Sequence, residues 1–560
     1  MRGISWPNSV GNRLNGEINI KSIRALDEQI KDHERIIIKL KRARNALLGI
    51  STLPPEVLGD IFRRNVSLEE LFGGLEEGSR NFLLVCHHWF EVALRTPEVW
   101  SFWGNTPKHW ARWYRRSQTA PLDLVLGGVD YDDGSFDATL RDALRDRAAR
   151  DTIRRVHLWS GDAEFLSSII SPLAAACDGI RSNSVESFIL SNDGDTPVDV
   201  SDFFAHYTFP KLQRLLLDDC KVASWDFLTS RTAVLTTLIL NFSHPSPTPT
   251  TSQLLSILAS NPTLRIVTLS SFAVPDDGGG ESSFRVPLHH LKGLELAGTP
   301  RNVIKLLHRL DHPRNMDDLN ITLSDCPIAG ISQIIGPYLR DYLRRRGRSQ
   351  GGLGLFVSLS GRRVTLNVGD ADGIDLSTPA WKQMATFVGI TMELDQTPKE
   401  LLYKGVLDLI AHVPQDEIVY FRTWSDPLAM DDLFTRLPNL KALHTVNTPL
   451  LAVFPESNLD GDEKIFPSLR HVFLEQLVVS DGDWTPLMGF LARLRVSSGN
   501  QLDSLTVVDS PHMCPEVMRR IRGMVQEFKV DRMSRCCPFA IFGFCPEQCV
   551  VATNGWSIHL

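Results

Sequence analysis

The residues whose types and spacing come closest to a chemical site are the consecutive Cys86, His87 and His88. Thiolates and imidazoles are common zinc ligands. In a helix, however, consecutive side chains point about 100° apart, so these three cannot all face one ion. Cys86 also belongs to an apolar pattern that includes Trp89. The pattern therefore favours packing over metal binding at this point.

Three further segments hold metal-ligand residue types at imperfect spacing. The acidic segments 370–375 (DADGID) and 460–463 (DGDE) lack the twelve-residue spacing and the terminal glutamate of a calcium loop. The third segment is a tail with four cysteines that lack the paired CxxC spacing of structural zinc sites: Cys536, Cys537, Cys545 and Cys549. We predict solvated turns and a poorly ordered tail, and keep a metal-binding tail as an alternative.

The sequence contains no GxSxG elbow, HExxH pair, Walker loop or set of kinase motifs. It therefore predicts a non-catalytic protein with no cofactor, no catalytic residues and no metal ligands. An enzyme or metal protein that uses the tail or the acidic segments is the lowest-ranked alternative.

Composition limits the class of protein. The chain has 560 residues, with 43% hydrophobic and 22% charged residues and a formal charge of −7. A chain of this length is longer than a single hydrophobic core normally organises, so we predict several domains or a repeat array. Nine scattered cysteines are not typical of a disulfide framework, and no segment approaches the ~20 apolar residues that span a bilayer. We expect a cytoplasmic or nuclear protein that binds neither nucleic acid nor membrane.

Residues 1–49 predict a basic helix with a heptad pattern. Residues 1–50 hold ten Lys/Arg and five Asp/Glu, a charge of +5. His33 and Arg44 interrupt an apolar a/d series that consists of Ile23, Leu26, Ile30, Ile37, Leu40 and Leu47. Two interpretations stay open, a helix that self-associates and an amphipathic helix that packs on the next domain, and we favour the second.

Two apolar helices are predicted next. In LPPEVLGDIF (53–62), the prolines suit a first helical turn, and Val57, Leu58, Ile61 and Phe62 fall on one face. A second helix is predicted over roughly 80–94. A unit of about fifty residues buries little surface by itself, so we expect an apolar face to remain for a partner.

Segment 53–100 resembles an F-box, in which LPxEhhxxIF is followed by VCxxWxxhAxxxPxLW. The chain matches this pattern at Leu53, Pro54, Glu56, Val57, Leu58, Ile61, Phe62, Val85, Cys86, Trp89, Ala93, Pro97 and Trp100. The resemblance implies a three-helix module that docks on Skp1, the adaptor of SCF-type ubiquitin ligases, and through it on a cullin. The Skp1-binding residues that it implies are Leu53, Pro54, Val57, Leu58, Ile61, Phe62, Val85, Trp89 and Trp100. The order of elements resembles the large fungal (basidiomycete-type) set of F-box proteins.

Short LxL strands follow Pro121. From Leu158 to Leu323 their last apolar residues are spaced by 32, 27, 23, 29, 27 and 27 residues, which is typical of an irregular leucine-rich repeat. The segment from Leu212 to Cys220 shows the LxxLxLxxC pattern most plainly, and Cys220 and Cys326 are predicted to be structural. Proline-containing turns precede several strands: FPKL, NPTL, VPLHHL, LPNL and FPSL. Mobile loops are predicted at 244–251, 276–283 and 344–352, the array is least regular over 344–416, and a helix over 517–528 is predicted to cap it.

The sequence thus predicts an α/β protein: an N-terminal helix and a three-helix F-box, followed by an irregular leucine-rich-repeat solenoid of parallel strands with helices. The predicted domains are the basic helix (1–49), the F-box (50–103), the solenoid (104–530) and the Cys-rich tail (531–560). The predicted function is a substrate-receptor subunit that binds Skp1 and an unidentified target protein. A Skp1-bound scaffold that recruits no ligase is the alternative.

Overall fold

The computed structural model describes residues 20–68, 77–104, 110–127, 142, 146, 152–175, 184–206, 209–229, 234–242, 248–272, 285–311, 316–324, 331–347, 351–360, 363–371, 385–393, 399–424, 436–453, 466–479, 483–498, 501–509 and 513–531. The tail cysteines, Cys326, the loop 276–283 and the acidic segments 372–375 and 460–463 lie outside these residues. The chain forms two compact units: unit 1 comprises Met1–Trp159 and Ala175–Asp178, and unit 2 comprises Ser160–Ala174 and Gly179–Leu560.

Unit 1 consists mainly of helices. Its elements are α1 (Ile20–Ala46), a 3-10 helix (Gly49–Thr52), α2 (Pro55–Leu68), a 3-10 helix (Glu77–Leu84), α3 (His87–Leu94), a 3-10 helix (Pro97–Val99), β1 (Phe102–Trp103), α4 (Trp110–Ser117), β2 (Leu122–Gly127) and β3 (Ile153–Ser160). α2 begins at Pro55, as predicted, because the first N–H groups of a helix have no partner within it.

The helix predicted over 80–94 is interrupted. The segment before Val85 is a 3-10 helix, and Cys86 has extended backbone angles of φ −161° and ψ 167° before α3 starts at His87. Apolar residues continue through the break, so periodicity alone did not reveal it. The prediction of one continuous helix was wrong, and the module has two shorter helical segments there.

The three strands of unit 1 are parallel. Phe102 of β1 pairs with Asp123 of β2, and β2 pairs with β3. The carboxylate of Asp123 is buried, and it lies 2.5 Å from an Arg154 guanidinium nitrogen and 3.2 Å from one of Arg155. A buried carboxylate needs such partners, and these two ion pairs fix the register of β2 against β3.

Unit 2 is an array of parallel strands joined by helices and loops. Its elements are α5 (Ala163–Ala175), β4 (Ser187–Asn192), β5 (Val198–Asp199), α6 (Ser201–His206), β6 (Arg214–Asp218), β7 (Cys220–Lys221), a 3-10 helix (Asp226–Leu228), β8 (Thr237–Asn241), α7 (Thr251–Ser260), β9 (Ile266–Ser270), β10 (Val286–Pro287), β11 (Gly293–Gly298), α8 (Pro300–Arg309), β12 (Leu310–Asp311), β13 (Asp318–Leu323), α9 (Ile331–Arg346), β14 (Leu353–Ser360), β15 (Arg363–Asp370), β16 (Ala385–Glu393), α10 (Lys399–Ile410), a 3-10 helix (Gln415–Glu417), β17 (Ile418–Trp424), β18 (Ala442–Val446), α11 (Leu450–Val453), β19 (His471–Glu475), α12 (Thr485–Ser498), β20 (Leu502–Val508), α13 (Pro515–Arg522) and β21 (Val525–Asp531).

A turn with one left-handed residue recurs after the strands of unit 2. The residue that follows the strand has a positive φ of 46° to 53°, and its N–H donates to the carbonyl of the last or next-to-last residue of the neighbouring strand, at 2.7 to 3.0 Å. These residues are Asp219, Ser271, Asn447, Gln476 and Asp509. This hydrogen bond recurs at the same position in each of these repeats, so it aligns the ends of neighbouring strands.

A second recurring turn opens the strands. In each case the N–H of a leucine donates to the carbonyl three residues earlier, at 3.1 to 3.3 Å. The donor leucines are Leu212, Leu264, Leu291, Leu440 and Leu469, which end the five turn segments predicted from the sequence. The predicted turns are therefore confirmed.

The leucines of the LxL pattern form the core. Leu215, Leu217, Leu238 and Leu240 are 0% exposed, and Cys220 is equally buried, as predicted. Burial raises the pKa of the Cys220 thiol well above its ordinary value, so this cysteine stays a packing residue. The prediction of an α/β array of parallel strands is confirmed in its coarse form: unit 2 is consistent with a leucine-rich-repeat solenoid.

The irregular region of the array contains a strand inversion. Neighbouring strands follow the order β13–β16–β15–β14–β17, and β15 is antiparallel to both β14 and β16. The chain therefore reaches β14 by crossing over β16 and β15, with α9 in the connection, and returns to β17 through α10. Arg344–Arg346, predicted as part of a mobile loop, form the last turn of α9.

The predicted C-terminal cap is half wrong. Residues 515–522 form α13, but Val525–Asp531 form β21, which pairs in parallel with β20. Val525 is buried, while Gln526 and Glu527 are exposed. Val525 lies four residues after buried Ile521, a spacing that suits a helix face, but one buried apolar residue also fits a strand at the edge of a sheet.

Gly352 is the residue directly before β14, at the end of the crossover connection, and this position should tolerate no side chain. Its φ is +87°, and a Cβ there would lie 2.9 Å from the Glu417 carbonyl oxygen and 2.7 Å from Val419. Gly347 has a similar φ of +92° but open space around it, so Gly347→Ala is a matched control. We expect Gly352→Ala to lower the free energy of unfolding of unit 2 by about 1–3 kcal/mol more than the control does, measured by urea denaturation. Equal losses would contradict the packing argument.

Candidate docking surfaces

Helix α2 presents apolar side chains on two faces, of which one is buried. Leu58, Phe62 and Val66 follow each other at four-residue intervals and are at most 3% exposed. Val57 and Ile61, also four residues apart, are 45% and 43% exposed. Because the helix repeats every 3.6 residues, these two sets lie on adjacent faces. The first set builds the core of the module, and the second lies on its surface.

Aromatic contacts fix the position of α2. The Phe62 ring stacks on Phe82, with ring centroids 4.4 Å apart, and lies tilted against Trp89 at 5.3 Å. The indole N–H of buried Trp100 donates to the carbonyl of Ala93 at 2.7 Å. Each of these rings joins a different helical segment, so the aromatic core holds α2, α3 and the 3-10 helices in one arrangement.

A glycine lets α2 approach the turn after α3. A Cβ at Gly59 would lie 2.9 Å from the hydroxyl oxygen of Thr96, which itself donates to the carbonyl of Val92 at 2.9 Å. The two segments therefore touch through a position without a side chain, which lets the buried side of α2 lie close to the end of α3.

Large apolar side chains remain exposed on this module. They are Ile50, Val57, Ile61, Leu84, Val85 and Phe90, with exposed fractions from 37% to 85%. Single exposed apolar residues are ordinary, but so many within one small module are typical of a surface that binds another protein. We call Pro54, Val57, Ile61, Leu84 and Val85 the module surface.

The structure separates the nine residues that the F-box resemblance implies for Skp1 binding. Pro54, Val57, Ile61 and Val85 are exposed, and Leu53 and Trp89 are partly exposed. Leu58, Phe62 and Trp100 are at most 1% exposed, so in this chain they support the surface from below. Whether any of the nine contacts Skp1 stays a prediction.

Cys86, His87 and His88 do not converge. Cys86 precedes α3 with extended backbone angles, and Nδ1 of His87 lies 3.4 Å from a Glu91 carboxylate oxygen one turn later. Among the described residues, no group of three or more His, Cys, Asp or Glu is placed to hold a metal ion.

The second candidate surface is the strand face of unit 2 opposite the leucine core. Strand register defines its central row, which crosses the array one residue per strand: Ile189, Leu216, Ile239, Thr268, Glu295, Asn320, Gly389, Asn367, Phe356, Arg422, His444, Phe473, Thr506 and Lys529. From Ile189 to Phe356 these side chains are at least partly exposed, apart from Gly389. From Arg422 to Thr506 they are buried.

Amide side chains occupy the centre of the open half. A Cβ at Gly389 would lie 2.3 Å from Asn320 Oδ1 and 3.1 Å from Asn367 Oδ1, so the glycine makes room for both amides. The Asn320 amide nitrogen donates to the Asp318 carboxylate at 3.0 Å. Burial raises the pKa of this carboxyl above its ordinary value. The open half therefore offers amide and carboxylate groups that are held in fixed positions, as a specific protein contact requires.

The buried half holds a polar network. The Tyr420 hydroxyl lies 3.1 Å from Nδ1 of His444, and Nε2 of His444 lies 3.1 Å from Oε2 of Glu475. Burial lowers the pKa of His444, and its hydrogen bond with Glu475 acts in the opposite direction. A neutral imidazole satisfies both contacts, because Nδ1 accepts from the tyrosine hydroxyl and Nε2–H donates to the carboxylate. The guanidinium of Arg422 lies 5.1 Å from the centre of the Phe356 ring.

Sequence reasoning missed this network. The strands FRTW and LHTV carry polar residues at positions where an ordinary repeat exposes them, and nothing in the pattern shows that this part of the face is covered. The available signal was composition, because Arg422 and His444 share one register position, and Tyr420 and Glu475 lie two residues from that position on the same face.

A cavity of about 500 Å³ lies where the crossover helices α9 and α10 end. Its charged lining side chains are three arginines and three carboxylates, besides one histidine: Arg340, Arg344, Arg346, Asp370, Asp416, Glu417 and His412. Arg346 also stacks on Phe387 at 3.8 Å and pairs with Asp370 at 3.0 Å. Balanced charges and structural contacts of this kind indicate no class of ligand.

No helix among the described residues is long and apolar enough to cross a membrane. No family model and no curated protein matches the sequence. Among solved structures, a leucine-rich-repeat protein of Leptospira interrogans aligns with 74% of this chain and 90% of its own, at 13% identity and a TM-score of 0.28. The description of unit 2 as a repeat array therefore rests on its own strand register and turns.

Proposed function

We propose that this chain is a non-catalytic substrate receptor of an SCF-type ubiquitin ligase. The helical module binds Skp1 through the module surface, and the open half of the strand face of unit 2 binds a target protein. Its contribution to ubiquitin transfer is proximity, because a held target meets the transferring enzyme at a high effective concentration.

The observation that carries the proposal is the pair of adjacent faces on α2. Buried Leu58 and Phe62 build an aromatic core, while Val57 and Ile61 stay exposed at the positions where the F-box pattern has apolar residues. A module that exposes apolar side chains on its surface, over a tightly packed core, is suited to binding another protein.

The test is capture of recombinant Skp1 by the full chain and by the double variant Val57→Asp/Ile61→Asp. The exposed positions allow a charge without disturbing the core, and a charge in a buried interface is costly. We expect the variant to bind at least about 30-fold more weakly, the loss of one hot-spot contact of about 2 kcal/mol.

Val234→Asp is the matched control, because Val234 is 51% exposed and lies in unit 2. It should bind Skp1 like the unchanged chain. Equal capture by all three proteins, or by none, would count against the docking surface. If Skp1 is captured but cullin never co-purifies with it, the scaffold alternative replaces the ligase receptor.

A further inference from the structure

Helix α1 carries a long apolar stripe that the described part of the chain leaves exposed. From Ile23 to Ala46 every side chain is exposed except that of Asn45, which is partly buried. The apolar positions of the heptad pattern, from Ile23 at 47% to Leu47 at 85% exposure, share this state. The favoured interpretation from the sequence, packing on the next domain, is therefore not what the structure shows. A helix of 27 residues with such a stripe needs another partner.

The residue types along the stripe favour a second helix of the same kind as its binding partner. Ile23, Ile30 and Ile37 occupy a positions, and Leu26, Leu40 and Leu47 occupy d positions. Isoleucine at a alternating with leucine at d forms the narrow apolar seam of a coiled coil, which packs against a facing helix. Ile36 lies at the flanking g position next to this seam and widens it.

Charge along α1 fixes the direction of the partner helix. Residues 27–34 contain four carboxylates and one lysine, a charge of −3, and residues 35–44 contain five basic residues and no acidic one, a charge of +5. A parallel pair would place the two +5 segments side by side and the two Arg44 side chains in one core layer. An antiparallel pair places each basic segment along the acidic segment of the other copy.

We propose that α1 forms an antiparallel two-stranded coiled coil with α1 of a second copy of this chain. The core layers are then Leu26 with Arg44, Ile30 with Leu40 and Ile37 with His33, and Ile23 lies opposite Leu47, the first residue after the helix. Lys41 and Asp27, both at e positions, face each other across the seam. The two Ile36 side chains meet at the twofold axis.

This arrangement determines where the helical modules lie. The 3-10 helix that opens the module follows α1 directly, at Gly49. A helix of 27 residues is about 40 Å long at 1.5 Å per residue, so an antiparallel pair presents the two modules at opposite ends of a rod. Two receptors joined in this way gain avidity for a target with two binding sites.

The first test is the mass of the full chain in solution, by sedimentation and light scattering at micromolar concentrations. Ile37 and Ile38 are neighbours with 49% and 48% exposure, but only Ile37 lies at a seam position. We expect a dimer for the unchanged chain and for Ile38→Asp, and a monomer for Ile37→Asp. A monomeric unchanged chain, or equal effects of the two substitutions, would overturn the proposal.

The second test concerns direction. In the antiparallel pair, residue 30 of one copy lies opposite residue 40 of the other, while the two residues 30 are about 15 Å apart along the rod. Mixed Ile30→Cys and Leu40→Cys chains should therefore crosslink under oxidation above the background of the unchanged chain, and Ile30→Cys alone should not. Crosslinking of Ile30→Cys to itself would show a parallel pair. Neither test depends on Skp1 binding.

Discussion

Replacing Phe62 by alanine should destabilise unit 1 by about 3–5 kcal/mol. Phe62 is 1% exposed, and its ring contacts Phe82 and Trp89 from two other helical segments. Removing the ring leaves a cavity at the point where the three segments meet, and a module this small has few other contacts that close it. The free energy is measured by hydrogen exchange of the backbone amides of 55–68 and 87–94 in the full chain, because these amides report on unit 1 alone.

Phe90→Ala is the matched control, since Phe90 is the same residue type in α3 but is 37% exposed. It should cost about 1 kcal/mol or less, because much of its ring already contacts water. A loss for Phe62→Ala no larger than that of the control would show that the aromatic core does not hold the module together.

This expected result decides how the docking proposal is tested. A substitution at Leu58, Phe62 or Trp100 removes core packing, so loss of Skp1 capture there does not separate unfolding from loss of contact. Substitutions at Val57 and Ile61 change exposed side chains only. The sequence did not distinguish the two groups, because Val57 and Leu58 are equally apolar neighbours. Burial is decided by how α2 packs on segments that are distant in sequence, such as those of Phe82 and Trp89, which contact Phe62.

In the repeat array, too, features that depend on neighbouring residues were predictable, and features that depend on residues far apart in sequence were not. Leucine spacing and proline turns act locally, and both predicted the strands and their entry turns correctly. The inverted order of β14, β15 and β16 depends on which strands pair, and alternating apolar residues fit parallel and antiparallel partners equally. One local signal was present, since only two residues separate β14 from β15, a length typical of a hairpin.

Replacing His444 by alanine should lower the free energy of unfolding of unit 2 by about 3 kcal/mol at pH 7.5. The side chain is 0% exposed, and its removal leaves a cavity and takes a partner from both the Tyr420 hydroxyl and the Glu475 carboxylate. Urea denaturation followed by far-ultraviolet circular dichroism measures the change. His308→Ala, at an exposed position of α8, is the control and should stay within about 0.5 kcal/mol.

The same substitution should also flatten the pH dependence of unit 2. Burial holds the pKa of His444 in the folded chain below the ordinary value near 6.5, so the unfolded chain takes up this proton first as the pH falls. Stability is therefore complete above about pH 6.5 and is lost below it by up to about 1.4 kcal/mol per pH unit, until the folded-state pKa is reached. Burial and Arg340 also lower the pKa of His412, so the difference between the unchanged chain and His444→Ala isolates the contribution of His444. A difference that stays constant from pH 7.5 to pH 5 would mean that His444 takes up its proton equally in the folded and the unfolded chain, and that the Tyr420–His444–Glu475 network does not require a neutral imidazole.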